Sequence, residues 1–214
     1  MREFEKFPLP VDKAPAFAVR SFYKDDFGCK IKGDVFMTLR DGKTGEIQEH
    51  RELKNLIVMD ASVMVARLLK DPSEPWHGIY ALALGTGSGA WDPMHPPAAT
   101  VTRRSLYSEI CRKTFTSMQF IDGSGVPTTT PTNTVDYTCT VAESESVGPL
   151  CEMALLAGMV SNNMSIRNPI MPPDGFYNPA IDQTHYESII NALNFAVINK
   201  PATSTFTIVW RITT

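Results

Sequence analysis

The run Gly78-Ile79-Tyr80-Ala81-Leu82-Ala83-Leu84, joined directly to Gly85-Thr86-Gly87-Ser88-Gly89, decides which class of fold this chain adopts. Residues 79–84 are apolar on both faces and bounded by glycine, the pattern of a short strand buried on both sides. The glycines after it raise the alternative of a phosphate-binding loop. Such a loop ends in a lysine and a hydroxyl residue, and a dinucleotide fingerprint opens a helix whose N-terminus faces the phosphates. Here the glycines lead into Trp91-Asp92-Pro93 and then Pro96-Pro97, which supply neither. They read as a tight turn after a central strand.

On the N-terminal side, Asn55-Leu56-Ile57-Val58 precedes an expected helix. Asp60 or Ser62 can cap it, and Ala61, Met64, Val65, Leu68 and Leu69 recur at helical spacing until Pro72 and Pro75 stop it. This short amphipathic helix is expected to cover the sheet above strand 79–84. On the C-terminal side, a Pro-rich loop leads to residues 106–112, expected as a helical turn with Glu109 and Arg112 paired on the surface.

Further out the chain alternates with period two. Ile31, Gly33, Val35, Met37 and Leu39 share one face, and Phe36 interrupts the polar face opposite. Residues 40–45 have hairpin-turn chemistry, and 46–53 form a polar return strand suited to an edge. Residues 114–121 alternate as one strand. Val135, Tyr137, Cys139 and Val141 point inward, and 150–156 is apolar on both sides apart from Glu152. Leu193, Phe195 and Val197 oppose Ala192, Asn194 and Ala196. The strictest strand is the last, with Phe206, Ile208, Trp210 and Ile212 on one face. The expected fold is mainly β: an antiparallel β-sandwich or jelly-roll-like body with one short helix and long Pro-rich loops. Residues 1–30, with Pro8, Pro10 and Pro15, read as an extended arm. Residues 31–214 read as a single domain with loop insertions at about 85–105 and 159–188.

Composition narrows the function. With 43% hydrophobic and 20% charged residues and a net charge of -3, the chain is an ordinary globular protein without a nucleic-acid-binding surface. No run approaches the roughly eighteen apolar residues of a membrane span, and residues 1–6 are no secretory signal. Cys29, Cys111, Cys139 and Cys151 lack metal-ligand spacing; Cys139 and Cys151 are expected as buried thiols, bridged only if their strands pair. His50, His77, His95 and His185 have no partner in sequence, and Asp60, Asp92, Glu109, Glu143, Glu145, Asp174 and Asp182 show no acid–base spacing. No catalytic residue, metal ligand or cofactor is therefore expected. The long excursion at 159–188 carries more apolar surface than a solvated loop needs. Met159, Met164, Ile170, Met171, Phe176, Tyr177 and Tyr186, with Phe4 and Phe7 of the arm, are the candidate interface residues.

Asn55-Leu56-Ile57-Val58 with its helix, Ala83-Leu84-Gly85-Thr86-Gly87, Leu106-x-x-Glu109-x-x-Arg112, the strand at Tyr137 and the ending Thr207-Ile208-Val209-Trp210-Arg211-Ile212 occur in this order. The series resembles a family of tailed-bacteriophage virion proteins with a β-sandwich body, over residues 31–214; the insertion at 159–188 departs from its pattern. The resemblance implies a non-enzymatic virion component of the tail, baseplate or neck, assembled in the host cytoplasm. Its partners would be copies of itself and other virion proteins. Two alternatives are a capsid decoration or cement protein and a carbohydrate- or receptor-binding module using Trp76, Trp91, Tyr177 and Tyr186.

Overall fold

The computed structural model describes residues 31–70, 78–158, 168–169, 171 and 187–214. They form two antiparallel sheets and one helix. The first sheet runs in the order β2 (Ile47–Lys54), β1 (Lys32–Asp41), β11 (Ser204–Thr213), β8 (Thr134–Val141), β6 (Ser117–Ile121) and β7 (Pro127–Thr128). The second runs β3 (Leu56–Ile57), β10 (Glu187–Lys200), β9 (Gly148–Gly158), β4 (Ile79–Gly85) and β5 (Glu109–Thr114). The β-sandwich expected from period-two alternation is the observed architecture.

The inward faces pack as that alternation requires. Val35 pairs with Trp210 across β1 and β11, and Trp210 with Tyr137 across β11 and β8. Val35, Met37, Leu39, Phe206, Ile208 and Trp210 of the first sheet meet Leu82, Leu84, Met153, Leu155, Leu193 and Phe195 of the second in one buried core. Core side chains of this size contribute on the order of 1.5–3 kcal/mol each through burial. β2 lies at the edge, where its charged side chains discourage pairing with a foreign strand.

Strand 79–84 is an interior strand as expected, paired with β9 on one side and β5 on the other, though β9 holds the middle of the sheet. Several expectations change. The helix α1 (Asp60–Lys70) does not lie over β4. It sits across one end of the sandwich, with Ala61 packed on Ala157 and Ile190 and Met64 beside them. Ala61 is its buried residue, whereas Val65, Leu68 and Leu69 remain exposed. The outer face of β4 and β9 is covered instead by the loop 86–108, whose Leu106 packs with Ala81, Ala83, Ala154 and Leu156.

Residues 106–112 do not turn helically; from Glu109 they are strand β5. A single strand over 114–121 is also replaced, because the chain leaves the second sheet at Thr114 and enters the first at Ser117. In β10 a register irregularity between Asn194 and Ile198 turns Ile198, rather than Val197, into the core. Cys139 and Cys151 belong to different sheets, and Cys111, Cys139 and Cys151 are buried free thiols. Cys29 lies outside the described residues.

Candidate functional site

The densest buried polar constellation among the described residues lies on the outer face of the second sheet, beneath the loop 86–108. Register creates it. Asn194 of β10 pairs with Glu152 of β9, Glu152 with Gly85 of β4, and Gly85 with Glu109 of β5. These four residues form one row across four strands, and Ala192, Ala154, Ala83 and Arg112 form another two positions along. A β-bulge between Leu84 and Gly85 is what places Glu109 and Arg112 on the same side of β5. Their ion pair is buried to within 1–2% residual side-chain exposure, not the surface bridge expected.

Glu152 is fully buried and anchors the loop from both ends. Its Oε1 accepts hydrogen bonds from the backbone N–H groups of Gly87 at 3.1 Å and Ser108 at 2.8 Å; Oε2 accepts from the N–H of Tyr107 at 3.0 Å. Oε2 also receives the Arg103 guanidinium. Arg103 donates in addition to Asn194 Oδ1 at 2.7 Å and to the Ser105 carbonyl at 2.9 Å. Its guanidinium lies 4.5 Å from the centre of the Tyr107 ring and 5.8 Å from that of Trp91. The two rings meet edge to face at 4.8 Å. Asn194 closes the set by donating to the Pro97 carbonyl at 2.7 Å.

The glycines of the opening motif now have physical reasons. A Cβ on Gly85 would stand 2.5 Å from Glu152 Oε1 and 2.6 Å from the Ser108 carbonyl oxygen. Gly87 has φ +72° and presents its N–H to Glu152, and a Cβ there would meet the Trp91 ring at 2.7 Å. Backbone N–H groups after a strand do cradle an anion here, as in a phosphate loop. The anion is the protein's own carboxylate.

Chemically this arrangement holds a loop in place. Glu152 and Glu109 are two buried carboxylates in one row, but an arginine faces each, and the loop covers them. Acid–base work needs a carboxyl group open to substrate. Sequence reading notes Glu152 only as the one polar residue in an apolar strand and assigns it no role. A lone acidic residue at a position otherwise wholly buried was the available signal, because such a charge survives only when paired and hydrogen-bonded.

The sequence-derived interface residues are placed unevenly. Phe4, Phe7, Met159, Met164, Ile170, Phe176, Tyr177 and Tyr186 lie outside the described residues. Met171 is half-buried against the main core and its sulfur accepts the Ser146 N–H at 3.0 Å, so it acts as packing. His95 does have a carboxylate partner, Asp92 Oδ2 at 2.9 Å; three residues of a turn bring the two together on an exposed loop. Hydrogen bonds from His95 and from the Met94 N–H hold the Asp92 carboxyl below its usual range. His50 meets Thr38 Oγ1 at 2.9 Å on the edge strand, and His77 and His185 lie outside the described residues. Among the described residues no group of three His, Cys, Asp or Glu could hold a metal ion, and no helix is long and apolar enough to cross a membrane.

On α1, Val63, Val65, Leu68 and Leu69 are exposed by 50%, 40%, 44% and 82%. Beside the same helix, an open pocket of about 180 Å³ lies between the ends of the two sheets. No family model matches this chain, and no curated protein matches it as a relative.

Proposed function

We propose that this chain is a non-enzymatic structural subunit of a tailed-phage virion, placed in the tail, baseplate or neck and joined to copies of itself and to other virion proteins. The observation that carries this reading is the use made of the residues behind the family resemblance. Gly85, Gly87, Leu106, Glu109 and Arg112 all lie where the loop 86–108 is fastened onto the second sheet. A signature devoted to holding a surface loop rigid suits a protein whose task is to present a fixed shape to neighbours.

The exposed apolar residues of α1 offer a surface for such a neighbour, since apolar patches of this kind on globular proteins mark contacts. A stable contact would bury on the order of 1,000 Å² or more in total. Val101 extends this apolar surface beyond the helix: it is 50% exposed and its carbonyl accepts the Met59 N–H at the start of α1. The carbohydrate-binding alternative loses one of its aromatic residues, because Trp91 is occupied by Arg103, Tyr107 and Gly87.

Separating purified particles into heads and tails and identifying this chain in each fraction by mass spectrometry tests the proposal. Recovery with tails alone is the expected result. Recovery with heads alone would instead assign a cement role, and absence from both would overturn the virion reading.

A further inference from the structure

Helix α1 carries an exposed apolar stripe. Val65, Leu68 and Leu69 stand three and four residues apart on one face of the helix, and Leu69 is 82% exposed. The stripe does not end at the helix. Val65 also lines the open pocket beside α1, together with Val135, Tyr137 and Ile212 of the first sheet. On the neighbouring strand β6, Met118 and Phe120 pair with Tyr137 and Val135 and share their face. That face points toward the second sheet, yet Met118 is 58% exposed. An apolar groove therefore runs from α1 across the pocket to β6.

A groove of this kind takes an amphipathic helix, whose apolar side chains one turn apart seat in it. Helix α1 is such a helix, and it lies along the margin of the groove. A surface that holds a projecting side chain beside a pocket is complementary to itself, as a two-fold contact between identical subunits requires. The two helices then run antiparallel. A two-fold axis near Val65 sets Leu69 of one copy over Ala61 of the other, at the pocket edge formed by Met64 and Val65. Charge favours this direction. Asp60 lies in the first turn and Arg67 and Lys70 in the last, so antiparallel copies oppose unlike ends where parallel copies would stack like ones. Asp60 is already bridged to Arg104 at 3.5 Å, so the attraction sets direction more than strength. Area requires the whole groove. A stable contact buries on the order of 1,000 Å² or more in total, beyond what three partly exposed side chains on each copy supply.

We propose that the groove between α1 and β6 is a homodimer interface, in which α1 of a second copy lies antiparallel to the first and each Leu69 seats in the pocket of the other copy. The inference rests on the reading of this chain as a subunit joined to copies of itself. It adds the surface and the symmetry of that joint.

Sedimentation equilibrium of the purified full chain, away from any particle, tests it. A monomer–dimer equilibrium is expected. Leu69→Asp should weaken it by about a hundredfold or more, because a two-fold contact loses both buried leucines. Leu69 is exposed in the single chain, so the variant keeps the fold. In a Cys29→Ser background, oxidation with copper phenanthroline should cross-link Val65→Cys, near the axis, into a covalent dimer. Val63→Cys, on the far side of the helix, should stay monomeric. A chain that is monomeric up to about 1 mM, Leu69→Asp association equal to that of the parent, or Val63→Cys cross-linking as fast as Val65→Cys would each overturn the proposal. A monomer that enters particles only with Leu69 intact would also overturn it, and would give the groove to another virion protein. Failure of the virion reading is separate: a solution dimer of a chain absent from both heads and tails would sink that reading and leave this interface standing.

Discussion

Glu152 shows how much one side chain can organise. It joins loop residues 87, 103, 107 and 108 to the middle strand of a sheet through three backbone N–H groups and a guanidinium. Replacing one member of a buried ion pair strands the other charge, at a cost of about 3–5 kcal/mol. Glu152→Ala should therefore lower the unfolding free energy in urea by that amount and expose the loop to proteolysis between residues 86 and 108. Glu152→Gln keeps the shape and one acceptor oxygen, and is expected to cost less. Gly87→Ala meets both a left-handed backbone and the Trp91 ring, so a loss of about 1–3 kcal/mol is expected in the same measurement. If Gly87→Ala were as stable as the parent, Trp91 would not be packed where it is described.

At the level of elements, α1 and β5 depart furthest from their sequence pattern, for different reasons. The spacing of Ala61, Met64, Val65, Leu68 and Leu69 is that of a helix with one apolar face, and a helix forms. Periodicity does not say what that face meets. Here the helix closes an end of the sandwich, where Ala61 and Met64 reach packing partners. Substituting Leu68→Lys together with Leu69→Lys should leave the melting temperature within a few degrees, because both side chains are exposed and surface changes usually lie within about 0.5 kcal/mol. The same pair should reduce self-association or partner binding measured by sedimentation. Unchanged association would remove α1 from the interface. For β5, Glu109 and Arg112 at a spacing of three suggested one turn of helix, but the bulge opposite Gly85 supplies the same juxtaposition in a strand. Spacing alone does not distinguish the two geometries.

The whole molecule has a predictable response to alkali. Burial pushes the thiols of Cys111 and Cys139 up from 9.0 to about 12. The unfolded chain thus releases these protons at lower pH than the folded one. The stability they contribute is fully present below about pH 9 and is lost as pH rises toward 12, by up to about 1.4 kcal/mol per thiol for each pH unit. Denaturation curves between pH 8 and 11 should show this decline, and a Cys111→Ala, Cys139→Ala double variant should flatten it. At neutral pH the two thiols should resist a disulfide exchange reagent until the protein unfolds, since buried thiols are inert.

Much of the sandwich was legible because side-chain direction along a strand is a local property. Residues 31–39 and 205–213 alternate with period two, and Val35, Met37, Leu39, Phe206, Ile208 and Trp210 became the inner face of the first sheet, with Phe36 and Val209 paired on the other. The exclusion of a nucleotide loop at 85–89 rested equally on local chemistry, since Trp91, Pro93, Pro96 and Pro97 succeed those glycines where a lysine and a helix would be needed. Tertiary structure alone decided which sheet each strand joined, where the helix came to rest, and why Gly85, Gly87 and Glu152 belong together. Glu152 lies 65 residues from Gly87, so the partners that make its burial tolerable come into reach only when β9 pairs with β4. Local alternation sets which way a side chain points; long-range pairing sets what it touches.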